Sequence, residues 1–219
     1  MACRFAWSQS DKETKTKYMK RLSVFAVAVL CAMAVFAQTP NEIVAQMEAV
    51  MAQHQDEGVI MTMEMKIPGM DAVSAKVYML GKKSHTVMEG NKSFMWTDET
   101  TSWNYDPGQN QLTISPVSSS TGVQTSGAMF SDISKDYKIK LTNESEYAWF
   151  FKCKRIKKKK GESKKMDLIV AKDTYYPIAL STKALLISIA FKNISFGVTE
   201  DQVTFNPADY PTATIIDKR

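Results

Sequence analysis

The chain has 219 residues, and its 28 Lys and Arg residues against 23 Asp and Glu residues give a formal net charge of +5. Six of the basic residues and two of the acidic ones lie in the first 37 positions, so the remaining chain carries 22 basic and 21 acidic residues, a net charge of +1. This near-neutral balance gives no support for nucleic-acid binding. Only Cys153 lies beyond position 37, so no disulfide within the chain can stabilise that part, and its fold must rest on a hydrophobic core.

The stretch from Met19 to Ala37 has the pattern of a secretory signal peptide. Lys20 and Arg21 precede an apolar run, Leu22 to Phe36, and the run ends in small residues that suit cleavage after Ala37. The run is about 15 residues long, shorter than the roughly 20 residues that a bilayer-spanning helix needs, which disfavours its retention as a membrane anchor. The pattern predicts export to the periplasm.

Two further features set the expected domain boundaries. Residues 1–18 are polar and fit no signal peptide, which suggests a start-site extension before Met19. Cys31 follows Leu30, whereas a bacterial lipobox has a small residue before its cysteine, so lipid attachment there is disfavoured. We therefore expect residues 38–219 to form a single domain that is itself unanchored.

The first predicted element of that domain is an amphipathic helix. Thr39 suits the N-cap, Pro40 the first helical position and Glu42 the carboxylate position of a capping box, and Gly58 ends the helical pattern. The apolar side chains recur at helical spacing, at Ile43, Met47, Val50, Met51 and His54.

After Gly58 the apolar period changes from helical to two, which indicates strands. Met61, Met63 and Met65 alternate with polar neighbours, and after the Pro68-Gly69 turn the same rhythm continues through Val77 and Met79. Further strands are predicted at Ser84 to Glu89, Ser93 to Thr97, Ser102 to Asp106 and Gln111 to Ser115.

A Ser/Thr/Gly-rich loop, Pro116 to Gly127, interrupts the strands, and a short helix is predicted across Gly127 to Tyr137 because Phe130 and Ile133 share one side of it. Strands resume at Lys138 to Thr142, Tyr147 to Ile156, Lys165 to Ala171, Tyr176 to Thr182 and Leu186 to Ser195. This order predicts a mainly β (α+β) fold: a strongly curved antiparallel sheet forming an unclosed barrel, with an N-terminal amphipathic helix and a short inserted helix covering the open side.

The order of these elements resembles the LolA-like outer-membrane lipoprotein carrier family, of the Bacteroidetes type. The likeness includes the opening helix, the aromatic hairpin Phe94-Met95-Trp96-Thr97 to Trp103-Asn104-Tyr105-Asp106-Pro107, and the tail Val203-Thr204-Phe205-Asn206-Pro207-Ala208-Asp209-Tyr210-Pro211 followed by Ile215-Ile216-Asp217-Lys218-Arg219. One departure is that the early strands hold only Lys66 and Lys76 as basic residues, whereas better-known carriers have an arginine there that contacts the lid.

The resemblance implies a periplasmic carrier that shields lipoprotein acyl chains in an apolar cavity and takes them from an inner-membrane releasing transporter to an outer-membrane acceptor. It would act as a monomer without enzymatic activity, cofactor, metal or nucleic acid, and with transient membrane contact at most. The lid residues would be Met47, Met51, Phe130 and Ile133. The expected cavity residues are Met61, Met63, Met65, Val77, Met79, Phe94, Trp96, Trp103, Tyr105, Leu168, Val170, Ile189 and Phe191.

Several sequence features leave alternatives open. The Met61-x-Met63-x-Met65 repeat suits ordinary core packing, an adaptable wall for acyl chains, or Cu(I) binding by thioethers. The paired aromatics suit cross-strand packing, a cavity wall or a sugar platform. The segment Lys152 to Lys165 holds nine basic residues and one acidic residue, so Lys157, Lys158, Lys159 and Lys160 form either a solvated turn or a docking tip for anionic lipid or an acidic partner.

The function therefore has ranked alternatives. The leading hypothesis is the lipoprotein carrier, a close rival is a lipid- or lipoprotein-binding envelope sensor of the same superfamily, and a different class is a Met-rich periplasmic copper-binding protein. An exported hydrolase is weaker, because His54 and His85 are the only histidines and no catalytic spacing is visible. Asp98 and Glu99 are expected to serve a turn.

Overall fold

The computed structural model describes residues 38–117, 128–157, 163–184 and 187–219, and the fold belongs to the compact unit Pro40–Arg219. Helix α1 spans Pro40–Gln53, and the one-turn helices α2 and α3 span Ile133–Asp136 and Glu200–Val203. Twelve strands are described: β1 (Val59–Lys66), β2 (Val73–Leu80), β3 (Lys83–Met88), β4 (Phe94–Thr97), β5 (Thr101–Asp106), β6 (Gln111–Pro116), β7 (Tyr137–Glu144), β8 (Ala148–Arg155), β9 (Lys165–Ala171), β10 (Pro177–Ala184), β11 (Ile187–Phe196) and β12 (Thr214–Asp217).

All twelve strands belong to one sheet, in the order β12-β6-β5-β4-β3-β2-β1-β11-β10-β9-β8-β7. Neighbouring strands are antiparallel except β12, which pairs with β6 in parallel. Because β7 and β12 stand at opposite ends of this order, the sheet does not close on itself. The predicted mainly β fold with an unclosed sheet is confirmed.

The predicted strands agree with the observed ones to within two residues at each end, but the helix predicted from Gly127 to Tyr137 is not continuous over its described residues, and Gly127 lies outside them. A 3₁₀ turn at Ala128–Phe130 is followed by α2. Asp132 separates the two turns because its φ of 57° places it in the left-handed region, where a right-handed helix cannot continue.

The two faces of the sheet follow from side-chain alternation along each strand. Directly paired residues lie on the same face, and Met61 pairs with Val77 while Tyr78 pairs with His85. We call the side that carries Met61, Val77 and Leu168 the helix face, because α1 packs on it, and the opposite side, which carries Tyr78 and His85, the tail face. Helix α3 contacts β2 and β3, and the carbonyl of its Gln202 bonds to His85 on the tail face.

Gly58 allows the chain to turn from α1 into β1. Its φ is 69°, and a Cβ atom there would lie 2.5 Å from the carbonyl oxygen of Met79 and 2.7 Å from Cβ of Val198. Only glycine avoids both contacts. Within the described ranges, no helix is long and apolar enough to cross a membrane.

Candidate functional site

Two continuous rows of directly paired side chains cross the helix face. The first row consists of Leu141, Phe151, Leu168, Leu180, Phe191, Met63, Ala75 and Met88. The second consists of Ile139, Cys153, Met166, Thr182, Ile189, Met65 and Val73. Thr182 is the only polar member of either row, so the strands present an apolar surface that spans eight strands.

The predicted lid residues cover this surface. Met47, Met51, Phe130 and Ile133 are at most 4 % exposed, and they belong to the same buried cluster as Met61 and Leu168. Because Met47 and Leu168 are each 0 % exposed, the side chains of α1 fill the space above the strands. The structure therefore packs the predicted lid residues against the predicted cavity wall, and their role as a lid stays a prediction.

Polar contacts fasten α1 to α2 above the apolar layer. The carboxylate of Glu48 accepts hydrogen bonds from the backbone N–H of Ser134, at 3.0 Å, and from its hydroxyl. Asn41 Nδ2 donates to the carbonyl oxygen of Ser134 at 3.2 Å. Glu48 thus satisfies one of the N–H groups that the first turn of a helix leaves without a partner, and one α2 residue carries all three contacts.

Part of the apolar surface emerges beside the cover. Met63, Met65, Ile189 and Phe191 are only half-buried, although they continue the buried rows without a break. Val73, which pairs with Met65, is 38 % exposed. We call these five residues the apolar margin.

The apolar surface ends at β3. Beyond it the helix face carries hydroxyl groups, since Thr86 pairs with Val77, and Ser84 pairs with Thr97 and bonds to it through their hydroxyls at 2.6 Å. Thr86 and Thr97 are buried. The candidate site therefore extends over β7–β11, β1 and β2 and ends at Met88 on β3.

The structure separates the predicted cavity residues into two groups. Met61, Met63, Met65, Val77, Met79, Leu168, Val170, Ile189 and Phe191 all lie on the helix face, but Phe94, Trp96, Trp103 and Tyr105 lie on the tail face. Strand pairing determines the face of the second group, because Trp96 pairs directly with both His85 and Trp103 and His85 lies on the tail face. Contrary to the sequence prediction, the four aromatics therefore do not line a common surface with the methionines.

The C-terminal tail covers the aromatic group. Phe205 stacks on Trp103 with ring centroids 5.3 Å apart and meets Trp96 edge-on at 5.4 Å, and Tyr210 lies 4.4 Å from Tyr105. His85 stacks on Trp96 at 4.4 Å. These contacts resemble the packing of a second small core, and they support the structural interpretation of the hairpin.

Two shallow concavities lie away from the apolar rows. One, of about 270 Å³, is on the tail face and includes Tyr78, His85, Trp96 and Asp201 in its lining. The other, of about 420 Å³, is among polar loop residues that include Lys82 and Glu99.

The sequence prediction of the fold does not include the tail as a cover. The capping box at Thr199 and Gln202 fixes the start of α3, and Val203, the last residue of this helix, is buried. The apolar and aromatic spacing Val203, Phe205, Tyr210 is a visible signal, but the sequence does not say which strands it covers.

Neither histidine lies with the methionine repeat. His54 bonds to Glu57 through Nδ1 and to the Tyr176 hydroxyl through Nε2, both at 2.9 Å. Met61 is itself fully buried, and among the described residues no cluster of His, Cys, Asp or Glu could hold a metal ion. No described contact in this region favours the copper hypothesis.

Two further groups, Cys153 and Asp98, have surroundings that suit structural roles. Burial, with a smaller effect of the nearby Asp167 carboxylate, raises the pKa of the Cys153 thiol to about 12, so the thiol is not a nucleophile at neutral pH. Oδ1 of Asp98 accepts bonds from the N–H groups of Thr100 and Thr101 at 2.7 Å, which agrees with its expected turn role.

Only one lysine of the predicted docking tip lies among the described residues. Lys157 is exposed, and Lys158, Lys159 and Lys160 fall outside the described ranges. The docking tip therefore stays a prediction.

Comparison with known proteins supports the fold. No protein-family model matches the chain, and no curated protein matches it. An uncharacterised conserved protein from Thermus thermophilus is similar with a TM-score of 0.50 and 17 % identity, over 80 % of this chain and 98 % of that one. A LolA superfamily protein from Nitrosomonas europaea has a TM-score of 0.37 and 11 % identity, over 78 % and 100 % of the two chains.

A putative outer-membrane lipoprotein-sorting protein domain from Vibrio parahaemolyticus has a TM-score of 0.37 and 14 % identity, over 78 % of this chain and 97 % of that one. The solved structures similar to this chain thus include one LolA superfamily protein and one putative lipoprotein-sorting protein domain. At these identities the likeness concerns the fold. The Bacteroidetes type stays a prediction.

Proposed function

We propose that the protein is a periplasmic carrier that binds the acyl chains of lipoproteins on the helix face and takes them from the inner to the outer membrane. The observation that carries this proposal is the apolar margin. Helices α1 and α2 cover most of the apolar surface of eight strands, but at the margin this surface continues beside the helices and is partly exposed. An acyl chain that enters at the margin meets an apolar path that continues beneath the cover.

The chemistry of the surface suits acyl chains. Covering apolar chain carbons contributes about 0.8 kcal/mol per CH₂ group, without requiring directional contacts. Met61, Met63 and Met65 have unbranched, flexible thioether side chains, which repack around chains of different length at low cost. In this structure Met47 and its neighbours fill the space that an acyl chain would occupy, so binding requires α1 or α2 to move.

The resemblance of the sequence to the carrier family supports the choice of lipoproteins among acylated ligands. The partners would be an inner-membrane transporter that releases lipoproteins and an outer-membrane acceptor, with the protein acting as a monomer. The signal-peptide pattern from Met19 to Ala37 supports a periplasmic location.

Titration with a fluorescent fatty acid tests the binding step. In the double variant Met63→Glu, Met65→Glu, two carboxylates would stand on the entry path, and we expect the affinity of the purified protein for the probe to fall by about tenfold or more. The matched control is Ile215→Glu, Ile216→Glu on β12, which adds the same charge at exposed positions and is expected to bind as the original chain does. Equal affinities of the two variants would contradict the proposal.

Mass spectrometry of the protein purified from its own periplasm tests the carrier step. Co-purified acylated protein is expected. Free lipid without any acylated protein would favour a lipid-binding sensor instead, and the absence of both would count against an acyl-chain site.

A further inference from the structure

Lysines are concentrated on the tail face of β7–β10, where no helix or tail segment of the described structure covers the sheet. Six exposed lysines, which we call the lysine field, share this face: Lys138, Lys140, Lys152, Lys154, Lys165 and Lys183. Their strand neighbours on the other side, such as Ile139, Cys153 and Met166, belong to the buried core or pack against it. The alternation of the strands therefore exposes one basic side and buries one apolar side.

The lysines lie in register across the strands. Lys138 pairs directly with Lys154, which pairs with Lys165, and in the next row Lys140 pairs with Lys152. Directly opposite residues have Cβ atoms about 5 Å apart, and like charges at that position destabilise a sheet. Asp167, opposite Lys152, is the one carboxylate within these two rows on β7–β9.

Apart from Asp167 opposite Lys152, the lysine field faces no opposite charge in register on the described strands β7–β9. Ion pairs elsewhere on the surface join Lys82 to Glu99 and Lys192 to Glu64, but no pair among the described residues involves the six lysines of the field. Since the chain after residue 37 is almost neutral overall, this patch of positive charge is not a consequence of composition. An external anion would relieve the repulsion between the rows.

Apolar side chains border the lysine field on the exposed surface. Phe150 pairs with Ile169 on the same face, one row beyond Lys152, and both are only half-buried. Ile156, which follows β8, is 62 % exposed. A surface that combines lysines with uncovered apolar side chains is typical of proteins that rest on a membrane interface.

We propose that the lysine field is a docking surface for an anionic phospholipid bilayer. The field extends over four neighbouring strands about 4.8 Å apart, so its charges are spread over a broad sheet face that can meet many headgroups together. Lysine interacts as a point charge rather than through the paired geometry of arginine, which suits a mobile array of headgroups. The bordering apolar side chains disfavour a soluble polyanion as the partner, because they gain burial only against lipid or protein.

Vesicle sedimentation of the purified protein tests this surface. We expect binding to vesicles of phosphatidylcholine mixed with phosphatidylglycerol, weakening steeply as salt is raised, and little binding to phosphatidylcholine alone. Each lysine near an anionic surface contributes about a fivefold change in the binding constant, so the variant Lys138→Gln, Lys154→Gln, Lys165→Gln should bind about a hundredfold more weakly. Removing like charges that face each other leaves the fold intact.

Two control variants show whether weaker vesicle binding results from the loss of charge within the lysine field. The triple variant Lys82→Gln, Lys92→Gln, Lys218→Gln loses the same charge outside the field and should bind nearly as the original chain does. The variant Lys138→Arg, Lys154→Arg, Lys165→Arg keeps the charge and should also bind. The proposal is overturned if both Gln variants weaken alike, if the two vesicle types bind equally, or if an acidic polypeptide competes more strongly than the anionic vesicles.

Bilayer docking by the lysine field does not depend on the acyl-chain site. The vesicle assay contains no acylated cargo, and the fatty-acid titration contains no bilayer, so failure of one proposal is visible without failure of the other.

Discussion

The two covered faces of the sheet differ in their side chains and in the segments that cover them. On the helix face, aliphatic and methionine side chains meet α1 and α2, and Glu48 fastens the two helices through Ser134. On the tail face, stacked aromatic rings meet the C-terminal tail through Phe205 and Tyr210.

This difference in packing indicates which face can exchange its covering side chains for a ligand. Aliphatic and thioether packing is non-directional, so an acyl chain can take the place of a lid side chain at low cost. Aromatic rings prefer particular stacked or edge-to-face arrangements, and these depend on the tail staying in place. The proposed acyl-chain binding therefore concerns the helix face, whereas the packing of the tail face contributes stability.

Removing a central ring of the tail face should have the largest effect. Trp96 is 6 % exposed and contacts His85, Phe205 and Tyr210. The variant Trp96→Ala should lower the free energy of unfolding by about 3–5 kcal/mol, because a large buried ring is lost. Urea unfolding followed by circular dichroism measures this change.

The same variant tests the division between the faces. At a temperature where Trp96→Ala is still folded, its affinity for a fluorescent fatty acid should equal that of the original chain. Loss of probe binding by the folded variant would show that the aromatics belong to the binding site.

Loosening the cover of the helix face should lower stability by less than the loss of Trp96 does, and it should strengthen binding of the fatty-acid probe. The variant Glu48→Ala removes both hydrogen bonds to Ser134, and because Glu48 is only half-buried we expect the free energy of unfolding to fall by about 1–2 kcal/mol in total. Because the closed state becomes less favoured, we expect faster and tighter binding of the fatty-acid probe, measured by stopped-flow fluorescence.

Two further variants control this result. Ser134→Ala keeps the backbone N–H bond and should show an intermediate effect, whereas Gln46→Ala, at an exposed position of α1, should change neither stability nor binding rate. Weaker probe binding in Glu48→Ala would mean that Glu48 shapes the site and does not hold it closed.

The sequence was sufficient to predict the helix α1, the strands β1–β11 and the fold class because these depend on local patterns. The period-two alternation around Met61, Met63 and Met65 and the helical spacing of Met47 and Met51 are visible within short windows. The same alternation correctly grouped the methionines with Val77 on one face.

The face of the aromatic hairpin could not be predicted in this way. A shift of one residue in strand pairing moves every side chain to the other face. The two-residue turn at Gly81 and Lys82 pairs Leu80 with Lys83. This register places His85, and with it Trp96, on the face of the sheet that does not carry the methionines. No local pattern fixes that register.

The tail was not predicted because its contacts are distant in the sequence. Strand β12 pairs in parallel with β6, and Asn110 Nδ2 donates to the carbonyl oxygen of Thr212, 102 positions away. Strand Thr214–Asp217 is exposed throughout, and its two adjacent isoleucines, Ile215 and Ile216, show no apolar alternation that would indicate a strand.

The smallest predicted effect concerns pH and the tail face. Burial lowers the pKa of His85 from its ordinary value of 6.5, although the hydrogen bond to the carbonyl of Gln202 opposes the shift. The unfolded chain therefore binds a proton at His85 more readily than the folded chain does. Stability should fall as the pH decreases below about 6.5, and the loss should level off below the folded pKa.

Thermal unfolding at a series of pH values measures this loss, with His85→Gln as the comparison. The variant keeps a donor for the Gln202 carbonyl but cannot take up the proton. Asp201 and Asp209 also line this concavity and are unchanged in the variant, so the difference between the two pH curves isolates His85. Parallel curves of unfolding temperature against pH for the two chains would contradict the assignment of the loss to His85. Because the helix face contains no part of the contact between His85 and Gln202, probe binding by the folded protein should have the same pH dependence in both chains.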